Sequence, residues 1–249
     1  MTQYGAGRIF AVVLTAGAGS RLGGLCKGLL RVQGKTLLAR QVAALAQVPV
    51  QGCVAVLGHQ AQSVRDEITQ IRLADLGGFD LERFRLESTE VQTPGIGRSG
   101  REDIQISVRQ GLLAVSGMLS ESDLGILVTL VDCPLINSDS IRHLLETAVR
   151  DCADIVIPER DGTDDACKQP VTGHPIFLSR RVVLGFDLAD PKFSLRSFLK
   201  TCDVAEPSIA PEFRVIRMRT QDPAFFKDID TPQDILSLHR EHGLLVEIP

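Results

Sequence analysis

RIFAVVLTAGAGSRLGGLCKGLL, residues 8–30, changes character at Leu14. A run that reads as a buried strand (8–14) gives way to a span holding five glycines, one arginine and one lysine. A strand that ends in a glycine-rich turn leading toward a helix marks the carboxyl edge of an open α/β sheet, where ligands bind. Glycine lets backbone N–H groups approach a polyanion closely, and Arg21 and Lys27 add charge-assisted hydrogen bonds, so the loop reads as a cradle for a phosphate-rich ligand. Two familiar glycine motifs are excluded. After Gly17 and Gly19 the dinucleotide fingerprint requires glycine at 22, where Leu22 stands, and no G-x-x-x-x-G-K-[ST] occurs. An oxidoreductase built on that fingerprint is therefore disfavoured.

The rest of the chain repeats the same alternation. Strand-like runs at 52–58, 125–131, 154–158, 174–178 and 213–218 alternate with helical periodicity at 36–47, 61–71, 104–115, 138–150 and 231–241. This is the pattern of βαβ units around a mostly parallel sheet. Thr36 is placed at the start of one helix, a Ser or Asp cap is expected before 138–150, and Thr231 caps a closing helix with Pro232 at its first position. The stretch 72–103, with a glycine pair at 77–78 and "TPGIGRSGRED" at 93–103, is read as a mobile loop over the ligand edge. With no repeat, low-complexity segment or dividing linker, one domain over 1–249 is the simplest organisation.

The 249 residues, 44% hydrophobic and 23% charged, can bury a full core. A net charge of −4 without a dense Lys/Arg tract argues against nucleic acid as a partner. No run is long enough to span a membrane and the N-terminus lacks a signal-peptide pattern, so the cytoplasm is expected. Cys26, Cys53, Cys133, Cys152, Cys167 and Cys202 form no C-x-x-C pair and are read as reduced thiols, Cys133 as a small buried hydrophobe. Arg98, Arg101 and Arg109 are read as solvated charges.

Two acidic sites complete the pattern. In "LVTLVDCPLI" (127–136), Asp132 follows a buried run and precedes a strand-stopping proline segment. A carboxylate there suits Mg²⁺, which takes one or two protein carboxylates and fills its shell with phosphate and water; a turn-forming Asp is the plain alternative. In "FKDIDTPQDIL" (226–236), Asp228 and Asp230 lie on the same side of an extended segment and could reach one metal, or Asp230 or Thr231 simply caps the helix.

Together these pieces resemble the MobA-like nucleotidyltransferases, which transfer NMP from NTP. The signature similar to L-A-[AG]-G-x-S-x-R-M-G followed by lysine stands here as Leu14 to Gly23 with Lys27, departing at Thr15, Gly19 and Leu22. The resemblance continues through 34–45, "ISVRQGL" (106–112), "LVDCPLI" (130–136), "GHPIFLSRR" (173–181) and "DIDTPQDI" (228–235). It implies a three-layer, Rossmann-like α/β domain with a mostly parallel central sheet, and a Mg²⁺-dependent transferase. Leu14, Ala16, Gly17, Gly19, Ser20, Arg21, Lys27 and Ser107 would bind the nucleotide. Arg21, Lys27 and Asp132 would act catalytically, and Asp132 and Asp230, with Asp228 beside them, would hold the metal.

Within the family the pattern is closest to molybdenum cofactor cytidylyltransferases. Ala16 and the Gly173-His174-Pro175 segment favour CTP, whereas "GGLCKGLL" (23–30) resembles the guanylyl branch. The acceptor would be molybdopterin, with onward transfer to a molybdenum enzyme as a further partner. His174 would contact that acceptor or serve as a structural hydrogen-bonding group. Arg196 matches the arginine of the branch's G-D-x-G-A-R-like segment, whose glycines are missing here. Other readings are a nucleotidyltransferase for a sugar phosphate or similar small phosphate, and a non-catalytic protein that binds and delivers the cofactor.

Overall fold

The computed structural model of the chain describes residues 7–17, 19–58, 60–73, 84–91, 100–162, 170–204 and 213–248. In chain order the elements are β1 (Ile9–Leu14), β2 (Arg31–Val32), β3 (Lys35–Thr36), α1 (Leu37–Ala46), β4 (Val50–Leu57), α2 (Ala61–Leu73), β5 (Arg85–Glu90), α3 (Gly100–Ser116) and β6 (Gly125–Leu130). Then follow α4 (Ser138–Arg150), β7 (Ile155–Arg160), β8 (Val171–Thr172), β9 (Ile176–Ser179), α5 (Arg180–Leu184), α6 (Leu195–Val204), β10 (Val215–Arg219), α7 (Pro232–His242) and β11 (Val246–Glu247).

The main sheet runs β10-β7-β9-β6-β1-β4-β5, with β8 paired to β7. β1, β4, β5 and β6 are mutually parallel, as are β7 and β10, while β9 runs antiparallel between β6 and β7. Because β9 is reversed against both neighbours, β6 and β7 still point the same way. The carboxyl ends of β1, β4, β6 and β7 therefore share one edge.

Strand alternation divides the core into two faces. Ile9, Ala11 and Val13 of β1 join one apolar cluster with Leu38 and Leu45 of α1, Ile68 of α2, Leu144 of α4 and Leu238 of α7. Phe10, Val12 and Leu14 join the other, with Leu112 of α3, Val182 of α5 and Leu195 of α6. The result is the expected three layers: helices on both faces of a mostly parallel sheet. Gly111 sets the spacing of α3. A Cβ there would run into Val12 Cγ1 and lie 2.8 Å from Val56 Cγ2, so only glycine lets the helix sit this close to β1 and β4.

Several local expectations are corrected. The cap of α4 is Asn137, whose side chain accepts from Asp139 N and Ser140 N, rather than a Ser or Asp. Part of the stretch read as a loop over 72–103 is ordered: 85–90 form β5, and α3 begins at Gly100. β5 has only Leu86 fully turned into the core and, among the described residues, pairs with β4 alone, so an edge strand of sequence RLESTE carries little apolar signal. The remainder of that loop, including Arg98, lies outside the described residues, as do the side chain of Arg101 and Cys167. A second small sheet, β11-β2-β3, was not expected. Its β2–β3 hairpin turns through Gln33 and Gly34, both in the left-handed region, which two-residue hairpins require.

Candidate functional site

The glycine loop leaves β1 at the shared carboxyl edge. Thr15 turns inward, its hydroxyl donating to Val56 O at 2.6 Å, and so anchors the loop to β4 instead of facing a ligand. Ala16 packs against Gly58, where a Cβ would lie 2.8 Å from Ala16 Cβ and from its carbonyl oxygen. Gly19 has φ 56°, and a Cβ there would strike Leu25 O, so its place in the loop admits no side chain. Ser20 and Arg21 enter a short 3-10 turn (Ser20–Leu22) and are exposed; Gly17 faces open space. The Leu14 side chain is buried in the core while its carbonyl accepts from Val131 N. Ser107 is buried in α3, one turn nearer the ligand edge than Gly111.

Lys27 is the hinge of the site. Its ammonium donates to Asp132 Oδ2 at 2.6 Å and to Asp230 Oδ1 in a very short contact, with its side chain 14% exposed. Burial pulls its pKa down, but the two carboxylates outweigh this and the net shift is upward. Arg21 reaches Asp230 Oδ2 from outside at 3.4 Å. Asp228 stands beside the pair, and burial together with Asp132 and Asp230 raises its pKa. Lys27, 105 positions before Asp132, and the Asp228/Asp230 pair well after it thus converge with Asp132 at one place.

The support beneath them is visible in backbone bonds. Ile229 N donates to the Asp132 carbonyl at 3.0 Å, joining the two acidic loops. Behind Asp230, Thr231 and Asp234 form the capping box of α7, and Asp234 Oδ2 also accepts from Asp230 N at 3.0 Å. Asp230 is therefore presented by a capped helix while Thr231 does the capping, which separates the two roles that the sequence left open.

Asp132 Oδ1 is buried with no hydrogen-bond partner among the described residues. An unpartnered anionic oxygen beside a second and third carboxylate fits a divalent cation that completes its shell from phosphate and water. Among the described residues no group of three His, Cys, Asp or Glu side chains forms a ready-made metal cage.

His174 follows Gly173 into β9 through a cis peptide to Pro175. Burial lowers its pKa, against opposing contributions from the Val128 backbone and the Asp132 charge. Its Nδ1 is buried with no hydrogen-bond partner among the described residues, close enough to Asp132 to feel its charge. Arg196 is exposed on α6, which packs on the face opposite α7; no described hydrogen bond or ion pair connects it to the acids. Cys133 is buried, and burial with the Asp132 and Asp228 charges pushes its thiol well above the ordinary range, as befits a small hydrophobe.

Two supporting residues had escaped the sequence reading. Gln41 lies buried in α1, donates to Leu130 O at 2.7 Å and accepts from Thr129 Oγ1 at 3.2 Å, bracing the end of β6 just before Asp132. A polar residue inside the apolar stripe of "TLLARQVAALAQ" was the available signal. Arg109, read as a solvated charge, is instead half-buried and donates to Leu188 O at 3.2 Å, fastening the segment before α6 to α3.

The glycine loop, the acids and the sheet order together define an α/β fold with a candidate site at the carboxyl edge of its sheet. The chain belongs to the MobA-like NTP transferase domain family, whose model matches residues 11–206. Over 142 residues it is 30% identical to the bifunctional protein GlmU of Solibacter usitatus (strain Ellin6076), a match covering 55% of this chain and 25% of that protein, so the chain spans about a quarter of its curated relative. The fold is similar to the crystal structure of Rv0371c from Mycobacterium tuberculosis H37Rv: TM-score 0.60, 22% identity, covering 96% of this chain and 98% of the other. The same protein has also been solved in complex with manganese, with TM-score 0.56 and 20% identity over 93% of this chain and 97% of that one. A third similar fold is 4-diphosphocytidyl-2C-methyl-D-erythritol synthase from Anaerococcus prevotii DSM 20548, at TM-score 0.60 and 15% identity over 95% and 96% of the two chains. No helix among the described residues is long and apolar enough to cross a membrane.

Proposed function

We propose that this chain transfers CMP from CTP to the terminal phosphate of molybdopterin, releasing pyrophosphate, and does so as one domain over 1–249. The observation that carries this reading is Lys27 held between Asp132 and Asp230 directly under the glycine loop. In this reading the backbone of 15–20, with Ser20, Arg21 and Lys27, holds the β- and γ-phosphates, and Ser107 contacts the nucleotide. Asp132 and Asp230, with Asp228 alongside, hold Mg²⁺, which supplies charge neutralisation at the α-phosphate when bound.

A phosphate monoester has a second pKa of about 6, so the acceptor oxygen is already ionised at neutral pH and no general base is required. That oxygen attacks the α-phosphorus in line, a new P–O–P anhydride bond forms, and the bond from the α-phosphorus to its bridging oxygen breaks. Pyrophosphate leaves with the bonding electron pair. Arg21 and Lys27 stabilise the charge that builds up on the departing phosphates. In this reading His174 contacts the acceptor, a role supported by its buried Nδ1 having no hydrogen-bond partner among the described residues; Arg196 is retained as an acceptor contact from the family resemblance alone.

Ala16 and Gly173-His174-Pro175 support CTP over GTP. Similarity to GlmU and to a diphosphocytidyl-methylerythritol synthase supports a second reading, the same transfer onto another small phosphate. The deciding experiment is pyrophosphate release with Mg²⁺ and molybdopterin, run in parallel with CTP, GTP, ATP and UTP. CTP-dependent release is expected. GTP preference moves the chain to the guanylyl branch, and release only with a sugar phosphate or similar acceptor selects the second reading. Nucleotide binding without release from any acceptor points to a binding and delivery protein.

A further inference from the structure

The strand that ends at Arg160 carries a charge the site described so far does not use. Glu159, Arg160 and Asp161 are consecutive, and both acids are taken by arginines of the neighbouring strand β10: Arg217 lies 3.7 Å from Glu159 and Arg219 lies 2.9 Å from Asp161. Arg160, on the opposite side of the strand by alternation, pairs with no carboxylate among the described residues. Its guanidinium instead stacks over the Phe226 ring, 4.8 Å from the centroid, and its Nε is buried with no hydrogen-bond partner.

A guanidinium placed on an aromatic face is held in a fixed plane, the arrangement suited to bidentate recognition of phosphate or carboxylate. Stacking on Phe226 offsets part of the desolvation of this half-buried arginine, and its buried Nε, without a hydrogen-bond partner among the described residues, leaves a further part for a bound anion to recover.

Its position is informative. Arg160 lies at the carboxyl end of β7, on the edge shared with Asp132. Phe226 sits against Gly173, where a Cβ would be 2.9 Å from Phe226 Cε1, and the next residue, His174, donates its backbone N–H to Phe225 O at 2.9 Å. Arg160, Phe226, Gly173 and His174 thus form a continuous wall that ends beside Asp132. In the sheet order the glycine loop lies on the β1/β4 side of Asp132 and this wall on the β9/β7 side. An NTP on the first side leaves the second for the other substrate.

We propose that Arg160, stacked on Phe226, is the docking point for the phosphomonoester of the acceptor. This rests on the nucleotidyl-transfer reading and deepens it: the acceptor's dianionic group is captured by Arg160 and delivered past His174 to the acids. The charge of Arg160 fits a phosphomonoester acceptor of any scaffold, and it distinguishes such acceptors from neutral alcohols.

The test uses 4-methylumbelliferyl phosphate as the probe, with binding followed by fluorescence anisotropy in the wild type, Arg160→Gln, Arg160→Lys and Phe226→Leu, and CTP affinity measured for each. Arg160→Gln is expected to weaken probe binding about tenfold or more, the scale of a lost charge-assisted interaction. Arg160→Lys retains part of the affinity and Phe226→Leu gives an intermediate loss, while CTP affinity stays within about twofold in all three. Dephosphorylated 4-methylumbelliferone should not bind measurably.

Unchanged probe affinity in Arg160→Gln, parallel loss of probe and CTP, equal binding of the dephosphorylated compound, or a wild type that ignores the probe each overturns the assignment. A wild type that binds the probe through Arg160 but binds no CTP keeps the anion site and removes the nucleotidyl-transfer reading instead.

Discussion

Ile229 and Asp132 are joined by a backbone hydrogen bond, Ile229 N to the Asp132 carbonyl at 3.0 Å, which ties the two acidic loops together. Asp230, the next residue, then meets the Lys27 ammonium that already holds Asp132. The site is built around this exchange of one cation among several anions, and its variants separate binding from catalysis.

Asp132→Asn keeps the shape of the side chain and removes its charge. Turnover is expected to fall at least about a hundredfold, with far-UV circular dichroism and the unfolding midpoint close to wild type. Lys27→Ala is expected to lower kcat/KM for NTP by roughly tenfold to a hundredfold, the value of a lost charge-assisted contact. Steady-state kinetics at saturating Mg²⁺ check both, and near wild-type rates in Asp132→Asn would remove its catalytic role.

Gln41→Leu removes the brace under the end of β6. It leaves the Leu130 carbonyl and the Thr129 hydroxyl without their buried partner, so a loss of about 1–3 kcal/mol of stability is expected. Urea unfolding measures it. Unchanged stability would mean that water enters and replaces the amide.

Gly111→Ala forces a methyl group into Val12 and Val56. Overpacking of this kind costs about 1–3 kcal/mol, and the companion change Val12→Ala should recover part of it by opening space. Thermal melts of the single and double variants test the coupling; strictly additive losses would contradict the contact.

Arg8 and Asp123 contribute to an acid limb of the stability. Burial alone would raise the Asp123 pKa, but hydrogen bonds from Arg8 at 2.7 Å and from the Ser120 N–H and hydroxyl outweigh it and hold the carboxyl below its ordinary value. A depressed folded-state pKa means that the contribution is complete above the unfolded value, near ~3.9, and is lost as pH falls through the lower folded value. Asp123→Asn should flatten stability in that acid window and lower it throughout at neutral pH. Denaturant titrations from pH 2 to 7 check the slope.

How much of this was legible in sequence depended on which residues faced the core. The alternating faces of β1, the stripe of α4 and the Thr231 cap of α7 are repeated apolar or capping patterns, and these appeared at nearly the expected boundaries. β5 did not, because an edge strand buries little, and the β2–β3 hairpin did not, because two-residue strands have no period to read. Asp132 was marked by its place after a buried strand. Gln41 is marked locally only as a polar residue in an apolar stripe; its partner Leu130, like Phe226 beneath Arg160, lies far away in the chain, and no local pattern names either pairing.

The Lys27–Asp230 contact spans 203 positions of sequence and the Lys27–Asp132 contact 105. A nascent chain that has already threaded its first strands and buried a good part of its interior still lacks the second acid until residue 230 has emerged and found its place. Chemical competence thus arrives last, and all at once. For the transferase proposed above, activity is accordingly expected to report on complete folding: local fraying at the segment that carries Asp230 would silence it while most of the sheet remains intact.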